Sequence, residues 1–114
     1  MNENETVNEM KYANKYLHTD VDPYEIVRRI SSSCLEVRAM DSVETEESKK
    51  KRRESFVPGG FCGNTDNAVQ EWKITSNPNN SVLRIRLHKD GCWYASGLRF
   101  GLSDKPMKFY DFNY

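Results

Sequence analysis

Ser81-Val82-Leu83-Arg84-Ile85-Arg86-Leu87-His88-Lys89-Asp90-Gly91-Cys92-Trp93-Tyr94-Ala95-Ser96 carries the strongest structural signal in the chain, two alternating runs on either side of an Asp-Gly turn. Apolar and polar side chains alternating at period two mark a half-buried strand, and Asp-Gly between two such runs marks a β-hairpin. The first arm puts Leu83, Ile85 and Leu87 on one face and Arg84, Arg86 and His88 on the other. One face is read as core and the other as wet.

The register of this hairpin decides what its outer face carries. If Asp90-Gly91 is a two-residue turn, Leu87 faces Tyr94, and Trp93 lies beside His88 on the same face as Arg84 and Arg86. That makes a basic and aromatic strip, suited to a nucleotide or single-stranded nucleic acid because guanidinium groups donate to phosphate and an aromatic plane stacks on a base. If Lys89-Asp90-Gly91 is instead a three-residue loop with a bulge at Gly91, Trp93 falls opposite Leu87 and is buried, leaving Arg84, Arg86 and Tyr94 outside. Lys-Asp-Gly suits two right-handed residues followed by a left-handed glycine, which favours the bulged form. The plainer alternative for the arginines is a solvated sheet face.

Working outward, Tyr24 to Ile30 follows the break at Asp22-Pro23 and reads as a strand, with Tyr24 and Ile26 on one side. Ser31-Ser32-Ser33 is turn chemistry, and Leu35, Val37 and Ala39 then alternate with Glu36, Arg38 and Met40, so these runs form a second hairpin. Trp72 and Ile74 alternate with Lys73 and Thr75 ahead of the Asn77-Pro78-Asn79-Asn80 turn. Leu98, Phe100 and Leu102 continue the pattern after Gly97. The tail holds Phe109, Tyr110, Phe112 and Tyr114, too much aromatic surface to leave in water, so it is expected to pair as a terminal strand or to dock on a partner subunit. Six or seven short strands at this spacing predict a mainly β single domain, a small antiparallel barrel or strongly bent sheet, with an SH3-like barrel among the options. The expected core is Tyr24, Ile26, Leu35, Val37, Trp72, Ile74, Leu83, Ile85, Leu87, Phe100 and Phe109.

Three segments stand apart. Residues 1–15 read as a flexible or weakly helical arm, with Thr6 and Glu9 at capping-box spacing, ahead of a β domain over 16–114. Asp41 to Glu54 is read as a charged loop, since Glu44, Glu46 and Glu47 neutralise the run Lys49, Lys50, Lys51, Arg52 and Arg53; pairs three or four apart would also support a short helix. The same basic run is the alternative candidate for nucleic-acid binding. Phe56 to Asn64 sets apolar residues and Cys62 among the glycines Gly59, Gly60 and Gly63, a loop that packs, with a weak resemblance to an anion-binding nest.

Composition narrows the function. The 114 residues hold 17 basic and 17 acidic side chains, so no global field draws the chain to nucleic acid or an anionic membrane. No apolar run approaches a membrane span, and the acidic, polar start is unlike a signal peptide, so a cytoplasmic location is expected. Cys34, Cys62 and Cys92 are widely spaced and fit reduced thiols, and with His18 and His88 isolated no metal site or other cofactor is expected. His88 and Cys92 form the one plausible Cys/His pair, at an exposed hairpin tip with no third group to orient it, so no catalytic residue is assigned.

A resemblance rests on Tyr16-Leu17-His18-Thr19-Asp20, Asp22-Pro23-Tyr24-Glu25-Ile26-Val27, Val37-Arg38-Ala39-Met40-Asp41, Lys89-Asp90-Gly91-Cys92-Trp93 and Phe109-Tyr110-Asp111-Phe112. In that order these segments resemble a group of small proteins encoded by bacteriophages and prophages. The charged insert and the glycine-cysteine loop depart from that pattern. The resemblance implies a small accessory protein in the cytoplasm of an infected bacterium, with no catalytic residue to carry over. The function expected is a non-enzymatic binding protein that inhibits a host process, plausibly antiviral defence, as an anti-CRISPR-like inhibitor or a nucleotide-signal sponge. Its partner would be a host protein or a small nucleotide, with Arg84, Arg86, His88, Trp93, Tyr94, Tyr110 and Tyr114 as candidate contacts. A nucleic-acid-binding barrel is the alternative, a virion or assembly component the third reading, and a homo-oligomer is compatible with all three.

Overall fold

The computed structural model describes residues 10–55 and 70–111, and in it the hairpin is one seam of a closed antiparallel barrel. The strands are β1 (Tyr12–Tyr16), β2 (Val21–Asp22), β3 (Tyr24–Ser31), β4 (Cys34–Ala39), β5 (Asp41–Glu44), β6 (Trp72–Thr75), β7 (Val82–Leu87), β8 (Trp93–Ala95) and β9 (Leu98–Ser103), with one helix, α1 (Glu46–Ser55). The sheet runs β2-β1-β3-β4-β7-β8-β9, and β1 also pairs with β9 along its whole length, from Tyr12 opposite Ser103 to Tyr16 opposite Arg99. Six strands therefore close on themselves, so no barrel strand is left unpaired along its whole length.

Local sequence explains how so short a chain curls shut. Lys15 faces Asp22 and Tyr12 faces Glu25 in one continuous register, so β2 and β3 are a single strand interrupted at Pro23, which has no N–H to donate. Farther on, the register of β3 against β4 slips between Ile26 and Arg28 and again between Arg29 and Ser31. Such bulges bend and twist a strand. They also undo strict alternation, so Arg28 turns outward to Glu36, 3.0 Å away. The Ser31–Cys34 pair closes the expected serine turn.

The core fills the barrel with Ala13, Tyr24, Leu35, Val37, Ile85, Trp93 and Phe100, and Tyr24 meets Phe100 edge-to-face at 5.3 Å between ring centroids. Each such large side chain withdrawn from water is worth about 1.5–3 kcal/mol. Ile26 and Leu83 pack against this core half-buried. Four expected core residues lie elsewhere, Phe109 among them, half-buried in the tail. Trp72 and Ile74 belong to a separate two-stranded ribbon of β5 and β6, half-buried outside the barrel. Leu87 is 38 % exposed, at the last pair of the β7–β8 ladder, opposite Trp93 and next to the hairpin tip.

Two boundaries also move. The expected arm ends earlier, since Tyr12 to Lys15 are part of β1 and Ala13 is fully buried; the Thr6 and Glu9 spacing lies outside the described residues, as do Phe56 to Asn64 with Cys62. The expected charged loop is strand β5 followed by α1. Thr45 caps the helix by accepting the Ser48 N–H at 3.1 Å, Glu46 and Glu47 stand in the first turn and Arg52 and Arg53 in the last, each sign complementing the helix dipole. Lys49 pairs with Glu46 and Lys51 with Glu47 along its surface.

The tail pairs, as its aromatic content requires. Val21 and Phe109 exchange both backbone hydrogen bonds, at 2.9 and 3.0 Å, so the segment lies along β2 with Phe109 half-buried beneath it. Asn14, fully buried, donates to the Lys105 carbonyl at 3.2 Å and accepts the Met107 N–H at 2.8 Å, which fastens the strap to β1.

Candidate functional site

The hairpin tip is the bulged form. Leu87 pairs with Trp93 and Arg86 with Tyr94, His88 donates its N–H to the Cys92 carbonyl at 2.9 Å, and the His88 carbonyl accepts the Gly91 N–H at 3.0 Å. Gly91 sits at φ +84°, the left-handed position that ends a three-residue loop. Trp93 is consequently only 6 % exposed and belongs to the core, which removes it from the candidate contacts.

Arg84, Arg86, His88 and Tyr94 remain together, lining one groove of about 530 Å³ with Leu83, Ala95, Ser96 and Gly97. The groove exists because β8 is three residues long. After Ala95 the chain reverses through Ser96 and Gly97, at φ 52° and 78°, so that Ala95 pairs with Leu98 across a two-residue turn. Below the Arg86–Tyr94 pair, β7 has no strand beside it on that side.

Electrostatics within the groove are uneven. Arg84 shares Glu36 with Arg28, at 3.6 Å against 3.0 Å, and is half-exposed. Arg86 is exposed and has no carboxylate within ion-pairing distance among the described residues. The Tyr94 hydroxyl donates to Asp90 Oδ2 at 2.7 Å, and the His88 ring lies 4.4 Å from that of Tyr94. This bond pushes the Tyr94 phenol up to about 12, and together with the Cys92 N–H it holds the Asp90 carboxyl below its ordinary range. The His88 ring thus faces Tyr94, whose hydroxyl also has the Cys92 side chain as a neighbour.

The row extends beyond the hairpin. Tyr94 pairs with Arg99 and Arg99 with Tyr16, so Arg86, Tyr94, Arg99 and Tyr16 stand side by side across four strands of the outer face. The Arg99 guanidinium lies 5.7 Å over the Tyr16 ring. Tyr16 in turn covers Gly101, where an added Cβ would sit 2.7 Å from its hydroxyl. Sequence reading missed Arg99 and Tyr16; the signal was Ser96-Gly97 between alternating runs, a turn that fixes Arg99 opposite Tyr94.

The other candidates lie apart. Tyr110, 45 % exposed, is in the strap, where its backbone exchanges hydrogen bonds with Gln70 at 2.6 and 2.9 Å, and Tyr114 lies outside the described residues. Lys49, Lys50, Lys51, Arg52 and Arg53 are on α1, and three of the five are committed: Lys49 and Lys51 to the helix's own glutamates, Arg52 to the buried Glu44. A second depression, of about 440 Å³ beside Asp22, Met40 and Lys108, carries a neutralised pair, with Lys108 Nζ 2.7 Å from Asp22.

Among the described residues no group of three His, Cys, Asp or Glu side chains is placed to hold a metal ion, and no helix is long and apolar enough to cross a membrane. Comparison of the chain with protein-family models, curated proteins and solved structures finds no match.

Proposed function

We propose that this chain is a non-enzymatic binding protein that grips its partner with the β7–β8 groove. In line with its resemblance to phage-encoded proteins, the partner is a protein of a bacterial host, and its occupation inhibits a host process such as antiviral defence. The observation that carries the reading is the convergence of Arg84, Arg86, His88 and Tyr94 on one open groove with two guanidinium groups only partly neutralised. Arginine and tyrosine are enriched among the residues that dominate interface energetics, because tyrosine adds a large contact area at low entropic cost and arginine a fork of directed donors. The site lacks the triad geometry or closed, dry cleft that chemistry needs, and a groove this open suits holding rather than transforming.

The experiment is affinity capture from host lysate with the wild-type chain and with Arg84→Glu/Arg86→Glu. A partner retained by the first and lost by the second is the expected result. Equal retention by both would place the contact elsewhere and end the proposal.

A second reading follows from the row Arg86, Tyr94, Arg99 and Tyr16, whose alternation of cations and rings suits a nucleotide ligand or single-stranded nucleic acid. It requires binding of a short oligonucleotide that weakens steeply with salt, as counterion release dictates. Filter binding that stays at background in low salt removes it.

A further inference from the structure

The β7–β8 seam is open below Arg86, and the open length is a strand edge. In an antiparallel ladder, residues that exchange both backbone hydrogen bonds alternate with residues whose backbone groups face away. Leu87 donates its N–H to the Ser33 carbonyl at 2.9 Å, and the register with β4 is unbroken, so Leu83, Ile85 and Leu87 use their backbone groups on β4. Val82, Arg84 and Arg86 point theirs the other way. Arg86 is met there by Tyr94, but Arg84 and Val82 are met by no strand, because the Ser96-Gly97 turn has already carried the chain back into β9. Two N–H and two C=O groups of β7 thus face the groove without a backbone partner among the described residues.

We infer that this edge receives an extended acidic segment of a partner protein, added antiparallel to β7 in the line that β8 vacates. Unpaired edge groups template a further strand, and the side chains around them set its sequence. A residue opposite Arg84 lies on the outer face, where Arg84 and Arg86 offer bidentate donors, and charge complementarity calls for Asp or Glu there. The next residue of the segment points inward beside Leu83 and is apolar, while Ala95, in register with Ile85, already fills the inward position on the other side. The groove of about 530 Å³ has room for such side chains, and Val82, 47 % exposed, extends the apolar contact at the far end.

The inference rests on the protein-binding reading of the groove and adds the form of the ligand. Its test uses a fluorescein-labelled, end-blocked Val-Glu-Val-Asp-Val peptide as the probe, followed by anisotropy and by amide exchange of Val82 and Arg84 in the ¹⁵N-labelled full chain. The expected result is saturable binding that slows exchange of the Arg84 amide by about tenfold, since an edge N–H open to water becomes a ladder N–H. Arg84→Glu and Arg86→Glu should each weaken the peptide by about tenfold. A peptide N-methylated at the positions that donate to β7 should not bind the wild-type chain, a result independent of how the variants fold. Undiminished binding of the N-methylated peptide, no binding of the parent peptide, or unchanged Arg84 exchange on saturation overturns strand addition. If any of these coincides with Arg84-dependent capture of a host protein, strand addition falls and the binding reading stands. Competition by an oligonucleotide with no slowing of Arg84 exchange assigns the groove to nucleic acid instead.

Discussion

Tyr94 concentrates the chemistry of the candidate site in one side chain: it lines the groove, stacks against His88 and donates to Asp90. That bond makes the hairpin tip sensitive at both ends of the pH scale. The folded-state pKa of Tyr94 is raised, so its contribution is complete below about pH 10, the unfolded value, and is lost as pH rises toward about 12. Asp90 is shifted the opposite way, so its contribution is present above about pH 4 and is lost as pH falls through its lowered value. In Tyr94→Phe, NMR titration should show the Asp90 midpoint moving up toward the ordinary range while the barrel stays folded; an unmoved midpoint would mean that the Cys92 N–H alone sets it. Gly101 is a second residue whose role is specific. Because the nearest obstruction to a Cβ is the outer end of the half-exposed Tyr16 ring, Gly101→Ala should swing that ring off Arg99 and cost no more than about 1 kcal/mol in a denaturant melt. Phe100→Ala, which empties the barrel centre, should cost about 3–5 kcal/mol in the same assay.

Among the elements, α1 is held by a buried polar cluster rather than by an apolar stripe. Ser48, 1 % exposed, donates to Glu44 Oε2 at 2.8 Å and accepts the Glu71 N–H at 2.8 Å, so one hydroxyl ties the helix to both strands of the β5–β6 ribbon. Ser48→Ala takes the hydroxyl away from the Glu44 carboxylate and the Glu71 N–H and should cost about 1–3 kcal/mol. Glu44→Ala, which removes the buried carboxylate that Ser48 and Arg52 share, should cost about 3 kcal/mol and unravel α1 ahead of the barrel, as far-UV circular dichroism and amide exchange would record. This element was only half legible. The charge spacing of Glu46–Lys49 and Glu47–Lys51 is compatible with a short helix as well as with the expected loop, and the run holds no apolar periodicity to say that it packs against anything. What anchors it is a glutamate two residues before its first turn, and sequence offers no sign that such a residue is buried.

For the whole molecule, the closed barrel carries a strap from the far end of the chain, tied to β1 and β2. Asn14→Ala removes both side-chain hydrogen bonds to the segment around Lys105 and Met107, and should cost about 2 kcal/mol. The expected signature is local: amides of Val21 and Phe109 exchange faster while those of β4 and β7 keep their protection, and uniform loss of protection would contradict it. The sequence by itself determined β3, β4, β6, β7, β8 and β9 but not β1 or β5, because period-two alternation and turn residues are local properties; Leu83, Ile85, Arg84 and Arg86 took the faces that their spacing demanded. It favoured the bulged hairpin tip without deciding it, since a glycine at Gly91 suits a two-residue turn as well, and the pairing of Leu87 with Trp93 settled the form. Only the tertiary structure decided which apolar faces share one interior. Trp72 and Ile74 alternate as cleanly as Leu83 and Ile85, yet their strand pairs with β5 outside the barrel, and alternation records that one face is covered without recording by what. The same limit governs the site. Arg99 and Tyr16 join Arg86 and Tyr94 because β9 pairs with both β8 and β1, and the gap beside Arg84 opens because one strand stops short, which are facts of pairing between segments distant in the chain.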